Sequence, residues 1–169
     1  TVVGMLKKGI PQIECSFGIT DVKIQIPNTN KSISKLSLTG FFQSGNKKNY
    51  SEAQLKLTEI SAQLPGGNLD GNFSVVNFLA PLYDFQYKMK TDLVGFENII
   101  NLSSLDSLSG NVEIVGSFRG KYDPVKKQFI EKKGNSTIRC DSISFVIPGV
   151  TQIHDVEGVV RFDTDSLIF

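Results

Sequence analysis

Residues 55–73 read LKLTEISAQLPGGNLDGNF, and this stretch decides the fold. Apolar and polar residues alternate from Leu55 onward, which is the pattern of a strand with one apolar face. The alternation slips by one residue at Thr58 and Glu59 and then resumes until Pro65. A glycine-rich turn and a second alternating strand follow. The stretch therefore predicts a hairpin with a β-bulge, because one extra residue shifts a period-two pattern without turning the whole strand over.

The same pattern occurs twice more in the chain. In the first copy the slip falls at Thr20 and Asp21, and in the third copy it falls at Asp141 and Ser142. Each leader strand ends in proline and is followed by a return strand with a central glycine. These glycines are Gly40, Gly71 and Gly158, with Gly110 in a fourth return strand that lacks a strict leader. Such repetition predicts a repeat protein whose function lies in a surface made by the repeats.

The repeats give the fold class and the domain boundaries. We expect one domain over residues 1–169, with repeats at about 15–43, 50–77 and 136–163. Glycine inside a strand costs roughly 0.5–1 kcal/mol relative to alanine, and it is tolerated where a sheet bends or another group approaches closely. The fold is therefore expected to be mainly β, a curled antiparallel sheet of bulged hairpins that forms either a groove or a flattened sandwich.

Three segments lie outside the repeats. Apolar residues at helical spacing predict a short helix near 92–101. Turns are expected at Asp123–Pro124 and again at 132–135, where two lysines precede Gly-Asn. The strand from Tyr83 to Met89 carries aromatic residues on one side, which favours core packing, with a groove lining as the alternative.

Composition excludes several function classes. The chain has 18 basic and 17 acidic side chains and a net charge of +1, so no global field attracts nucleic acid. No apolar run reaches the ~18 residues that a membrane-spanning helix needs. Because the chain opens at Thr1 and closes inside a strand-like pattern at Phe169, we expect an excised piece of a longer protein. Cys15 and Cys140 are expected to be buried thiols, with a disulfide left open.

Catalytic signals are weak. His154 is the single histidine and is expected to be an exposed turn residue. A nucleophilic site would need it beside Ser142 or Ser144, and no nucleophile-elbow motif is present. Asp163 and Asp165 lack the further ligands and the glycine of a calcium loop. We therefore expect no enzyme activity, no metal and no cofactor.

Several motifs together resemble the AsmA-like family, closest to its C-terminal region in Bacteroidetes-type bacteria. They are the proline-terminated leader, the Leu-x-Gly-x-Phe return, the helix from Leu93 to Asn101 and the segment SLDSLSGNVEIVGSFRGKYD at 104–123. The resemblance covers about residues 15–169. It implies a periplasmic segment of a protein anchored in the inner membrane. The implied role is in outer-membrane biogenesis. The resemblance extends to the repeating-groove proteins that carry phospholipid acyl chains, and it implies envelope proteins as partners.

The residue pattern and the resemblance lead to two hypotheses. In the first, lipid acyl chains bind the apolar face of the sheet and headgroups stay in water at the rim. The residues expected to bind lipid are Val22, Ile24, Ile26, Ile60, Leu64, Phe73, Val75, Ile143, Phe145, Ile147, Val160 and Phe162. In the second, the same residues form the dry core of a β-sandwich or solenoid segment that binds a protein through its edges or loops.

Overall fold

The structure is a computed structural model that describes residues 2–7, 10–27, 29–46, 50–96, 106–149, 151–164 and 166–168. The described residues form one antiparallel sheet in which strand order equals chain order. The ten strands are β1 Val2–Lys7, β2 Ile10–Gln25, β3 Ser32–Gln43, β4 Gln54–Leu64, β5 Gly67–Val76, β6 Leu82–Asp92, β7 Asp106–Asp123, β8 Gln128–Ile147, β9 Thr151–Asp163 and β10 Ser166–Ile168. The sheet is open. Because the described residues form ten strands and a single four-residue helix, the predicted mainly β class is confirmed.

The three predicted bulges lie where the alternation slips. Strand register shifts between Ile19 and Val22, between Leu57 and Ile60, and between Cys140 and Ile143. The second residue of each slip adopts a left-handed backbone conformation, with φ of 56° at Asp21, 53° at Glu59 and 53° at Ser142. Each bulge keeps the apolar residues before and after it on the same side of the sheet.

Side chains from neighbouring strands satisfy the bulged backbone. The Asp21 N–H donates to Ser37 Oγ at 3.2 Å, and the Glu59 N–H donates to Asn72 Oδ1 at 3.3 Å. The third repeat has a further bulge in its return strand, where Asp155 has a φ of 51° and its N–H donates to Ser144 Oγ at 3.2 Å. Because a bulge breaks the backbone ladder, a side-chain acceptor replaces the lost partner.

Two expectations outside the repeats need correction or limitation. The turn predicted at 132–135 is wrong, because these residues lie inside β8, where Lys132 pairs with Gly120 and Asn135 pairs with Ser117. The long strand β7 offers a partner to each of them, and this pairing overrides the turn-forming residue types. The predicted helix is present as α1, Leu93–Phe96, while Asp92 is the last residue of β6 and residues 97–101 lie outside the described residues.

The two faces of the sheet differ in chemistry. One face, here called the apolar face, carries Phe73, Phe85 and Phe118 opposite one another on β5, β6 and β7. The other, the polar face, carries alternate residues of the same strands, such as Asp70 and Glu113. On the polar face Asp70, Asn111 and Glu157 are exposed.

Little of the apolar face is deeply buried. Among the described residues the buried apolar side chains are Ala53, Ala62, Val75, Leu108 and Ile143. Cys15 and Cys140 are half-buried and free, so neither the predicted full burial nor a disulfide between them is found. A closed core would bury far more than these five side chains, so the described part of the chain does not form one of the usual two-layer architectures.

Candidate functional site

The apolar face brings together the residues predicted to bind lipid. Pairing places Val22, Ile24, Phe73, Val75 and Val160 on this face, and alternation places the rest of the predicted set beside them. Val75 and Ile143 are the two that are buried, at 7% and 8% exposure. At the margins of the sheet, Ile24 is 46% exposed and Phe162 is 41% exposed. The sequence therefore located one continuous apolar surface that spans all three repeats.

No second layer covers this surface within the described part of the chain. Each strand there contacts its sequence neighbours, and α1 contacts β6 and β7. The predicted flattened sandwich, which needs two packed sheets, is therefore not what the described residues form. Large uncovered apolar surfaces in proteins usually mark sites for another molecule.

Aromatic side chains form one connected network at the β5–β8 end of the apolar face. Its members are Phe73, Tyr83, Phe85, Tyr87, Phe118, Tyr122 and Phe129. Phe129 joins three of them, with ring centroids 5.8 Å from Tyr83, 5.3 Å from Phe118 and 5.4 Å from Tyr122. Edge-to-face and offset arrangements of this kind stabilise aromatic contacts beyond simple area burial.

Most of this network was missing from the predicted site. Sequence alternation predicts Tyr83, Phe85 and Tyr87 as one aromatic ladder, and Phe73 is the member of the network that belongs to the predicted lipid-binding set. Phe129 follows a tight turn and belongs to no repeat, so its alternation gave no signal. The turn itself is held by Asp123 Oδ1, which accepts the N–H groups of Val125 and Lys126 at 2.9 and 3.0 Å. The hydrogen bonds from Lys126 and Val125 lower the pKa of the Asp123 carboxyl.

Rings lie over glycines on the apolar face. A Cβ at Gly116 would lie 2.6 Å from the Tyr87 hydroxyl oxygen and 2.7 Å from its Cζ atom. The ring crosses the β7 backbone there, and the hydroxyl lies 3.4 Å from Ser136 Oγ on β8. Gly40 is covered in the same way by the ring of Phe17. These are the close approaches that glycine in a strand was expected to serve.

The polar face carries a cluster of charges around one carboxylate. Glu113 Oε1 lies 3.1 Å from Lys88 Nζ and 3.5 Å from Lys90 Nζ, and Oε2 lies 3.5 Å from Arg139 Nη1. The hydrogen bond from Lys88 is the main reason that the pKa of the Glu113 carboxyl is lowered. An open depression of about 480 Å³ lies beside this cluster and is lined in part by Asp92 and Asp141. Their carboxylates offset the positive charge of the lysines and the arginine that Glu113 alone does not neutralise. The cluster ties β6, β7 and β8 together across the outer surface.

The candidate catalytic residues do not form a site. His154 is exposed and lies in β9 beside the Asp155 bulge, instead of in the predicted turn. Ser144 Oγ accepts the Asp155 N–H, and Ser142 Oγ donates to Asp141. Asp165 lies outside the described residues. Within the described residues no group of histidine, cysteine and acidic side chains has the arrangement of a metal site.

Comparisons of the chain with known protein families, curated proteins and solved structures found no match. The resemblance to AsmA-like proteins therefore rests on the motifs alone. No helix in the described ranges has the length and apolar character needed to cross a membrane.

Proposed function

We propose that this chain is a non-enzymatic lipid-handling module that binds acyl chains along the apolar face. The observation that carries the proposal is a single-layer sheet with a continuous apolar face and no covering layer in the described part of the chain. An acyl chain on this face leaves water at a gain of about 0.8 kcal/mol for each buried methylene. The half-exposed apolar side chains of the sheet are buried at the same time, so the protein and the acyl chain both contribute to the free energy of binding.

The two ends of the apolar face favour different parts of the ligand. Around Leu69, Met89 and Ile114, which pair in one row, the face is aliphatic and suits the flexible methylene chain. The aromatic network ends in Tyr83 and Tyr122, whose phenolic groups are amphipathic and favour a boundary between apolar and wet surroundings. We therefore propose that acyl chains lie over the aliphatic row, with polar headgroups near the strand ends.

Matched variants test whether the apolar face is the binding surface. Ile24→Asp and Phe162→Asp place a charge on the apolar face, at residues 46% and 41% exposed. Val115→Asp and Val159→Asp introduce the same charge on the polar face, at residues 45% and 42% exposed. Because exposure is matched, both pairs should fold, and only the first pair should lose lipid.

The measurement is native mass spectrometry of the purified protein with organic extraction of co-purified lipid. Photoreactive fatty acid, followed by mapping of the labelled residues, locates the chain on the folded wild-type protein. Labels on the apolar face and lipid loss in the first pair alone support the proposal. Folded protein that takes up no acyl probe, or that is labelled on the polar face, contradicts it.

The resemblance to AsmA-like proteins extends the proposal to the cell. We propose that the chain is a periplasmic segment of an inner-membrane-anchored bacterial protein that serves outer-membrane biogenesis, with envelope proteins as partners. Deletion of its gene in the source bacterium should make the outer membrane permeable to detergents. The wild-type gene should restore the barrier, whereas a gene that carries both Ile24→Asp and Phe162→Asp should not. An intact barrier after deletion would contradict the cellular role. It would not affect the conclusion from the lipid-binding test in vitro.

A further inference from the structure

We propose that the outer end of the hairpin between β7 and β8 binds the surface of an anionic lipid bilayer. This segment, residues 119–133, is here called the basic hairpin. It carries six basic and two acidic side chains, a net charge of +4, whereas the whole chain has a net charge of +1. The rest of the chain is therefore net acidic, and the positive charge is concentrated in one place. The inference concerns contact with a bilayer and does not depend on acyl chains binding the apolar face.

The basic hairpin extends past the strands on both sides of it. β6 begins at Leu82, opposite Lys121, and β9 ends at Asp163, opposite Asn135. The turn of the hairpin lies beyond both of these pairs and so stands at the outer end of the sheet. Val125 in this turn is 89% exposed, more than any other large apolar side chain among the described residues. An apolar side chain at a projecting tip is suited to enter the interface of a bilayer.

The two acidic side chains of the basic hairpin are engaged within it. Asp123 Oδ1 accepts the N–H groups of Val125 and Lys126 at 2.9 and 3.0 Å, which fixes the turn that presents the valine. Glu131 forms an ion pair at 3.5 Å with a lysine of the same hairpin. Lys126 and Lys127 are exposed directly after the valine, so two positive charges follow an apolar tip. This combination binds anionic bilayers, because lipid phosphates attract the charges and the acyl region accepts the apolar group.

A pair of like charges in the same segment also points to an anionic partner. Arg119 on β7 is directly opposite Lys133 on β8, and both are exposed on the polar face. Like charges at directly opposite positions destabilise a sheet. Asp84, on the other side of Arg119, offsets one of the two charges. Beside the pair lies an open depression of about 360 Å³, lined by three basic side chains and one acidic side chain, Asp163. The phosphate of a lipid headgroup in this depression would neutralise the excess charge.

The aromatic network supplies side chains that suit a membrane interface. Tyr122 and Phe129 are opposite each other next to the turn of the basic hairpin, with ring centroids 5.4 Å apart. Tyrosine is enriched where the apolar and polar layers of a bilayer meet, because its ring is apolar and its hydroxyl is polar. A bilayer therefore gives a role to the exposed valine, the rings and the charges, whereas a nucleic acid or a soluble anion would use the charges alone.

Flotation of the whole protein with lipid vesicles measures this binding. We expect binding to vesicles of phosphatidylglycerol and phosphatidylcholine, weaker binding to vesicles of phosphatidylcholine alone, and release as the salt concentration rises. Lys126→Gln combined with Lys127→Gln should weaken binding by about tenfold or more. Lys23→Gln combined with Lys35→Gln is the matched control, because it removes two exposed lysines near the opposite strand ends. It should change the affinity by less than about twofold.

The chain contains no tryptophan, so Val125→Trp reports on the tip of the basic hairpin alone. Its emission should shift to shorter wavelength on anionic vesicles and be quenched by brominated lipids, and its binding should be tighter than that of the wild type. Val94→Trp is the matched control, because Val94 is 58% exposed and lies in α1 at the opposite end of the sheet. Its emission should not change. Val125→Ser should bind the vesicles severalfold more weakly than the wild type.

Three results would overturn the inference. The first is folded wild-type protein that does not bind anionic vesicles. The second is bound protein in which Val125→Trp shows no shift, or binding that Lys126→Gln with Lys127→Gln leaves unchanged. The third is release from vesicles by inorganic phosphate or duplex DNA at the same phosphate concentration as the lipid, which would assign the charges to a soluble anion or a nucleic acid. Ile24→Asp separates the two proposals, because it should lose extracted lipid and keep its binding to vesicles.

Discussion

Replacement of Gly116 by alanine tests the packing of rings over glycines. Gly116 is buried in β7, and the ring of Tyr87 occupies the space where a Cβ would stand. The backbone carbonyl oxygen of Asn135 lies 2.8 Å from the same point, so the methyl group is confined from two sides. To admit it, Tyr87 must leave Ser136 and its stacked contact with Phe85, whose centroid is 5.2 Å away.

The expected loss follows from two opposing terms. Overpacking of a confined site costs about 1–3 kcal/mol. Alanine is better than glycine within a strand by about 0.5–1 kcal/mol, which offsets part of that cost. The net loss is therefore about 0–2.5 kcal/mol. At about 2–4 °C per kcal/mol for a chain of 169 residues, it lowers the melting temperature by up to about 10 °C.

Equilibrium unfolding in urea, followed by circular dichroism, measures this loss. Gly158→Ala is the control, because the same exchange at an uncrowded position should leave stability unchanged or raise it by about 0.5–1 kcal/mol. In a Tyr87→Ala background the penalty at Gly116 should fall by about 1 kcal/mol, since the ring is gone and the Asn135 carbonyl remains. If Gly116→Ala is as stable as Gly158→Ala, the ring does not occupy this space and the reasoning fails.

The other predictions concern the bulges and the charge cluster. Ser142→Val should destabilise the protein by about 1–2 kcal/mol in urea unfolding, because a β-branched residue fits poorly at positive φ. Ser142→Gly should cost no stability, and equal stability of the two variants would contradict a left-handed bulge. The lowered pKa of Glu113 means that its contribution to stability is present above its ordinary value of 4.5 and is lost as pH falls through the folded-state pKa. Glu113→Gln should therefore be less stable than wild type at pH 7, and the difference in unfolding midpoint should shrink near pH 3; a constant difference would exclude the linkage.

The sequence predicted the leader and return strands of the repeats, their three bulges and the side on which the alternating apolar residues of these strands lie. Period-two alternation reports faces directly, and a slip of one residue has no other simple cause than a bulge. The turn predicted at 132–135 is wrong because residue type favours a turn at Gly134 and its neighbours, whereas their conformation is set by pairing with the long strand β7. Turn propensity is local, and strand pairing is not.

The candidate site was predicted in outline and missed in detail. Alternation placed Val22, Phe73 and Ile143 on one face, but it gives no measure of whether a second layer covers that face. That depends on packing between strands distant in sequence, whereas the described strands contact mainly their neighbours in the chain. The aromatic network was missed for a related reason, since Phe129 meets Tyr83 across an intervening strand. No spacing within either strand records such a contact.

The agreement of strand order with chain order has a mechanical consequence. β1 and β10 lie at opposite margins of the sheet, about 43 Å apart when measured along the sheet at ~4.8 Å for each strand spacing. Force applied between these two strands acts across the sheet and loads one backbone ladder at a time, starting from the outer hairpins. The strands should therefore separate one after another, in small steps at low force. The Glu113 cluster joins β6, β7 and β8, so at these strands ion pairs act beside the backbone hydrogen bonds that resist separation.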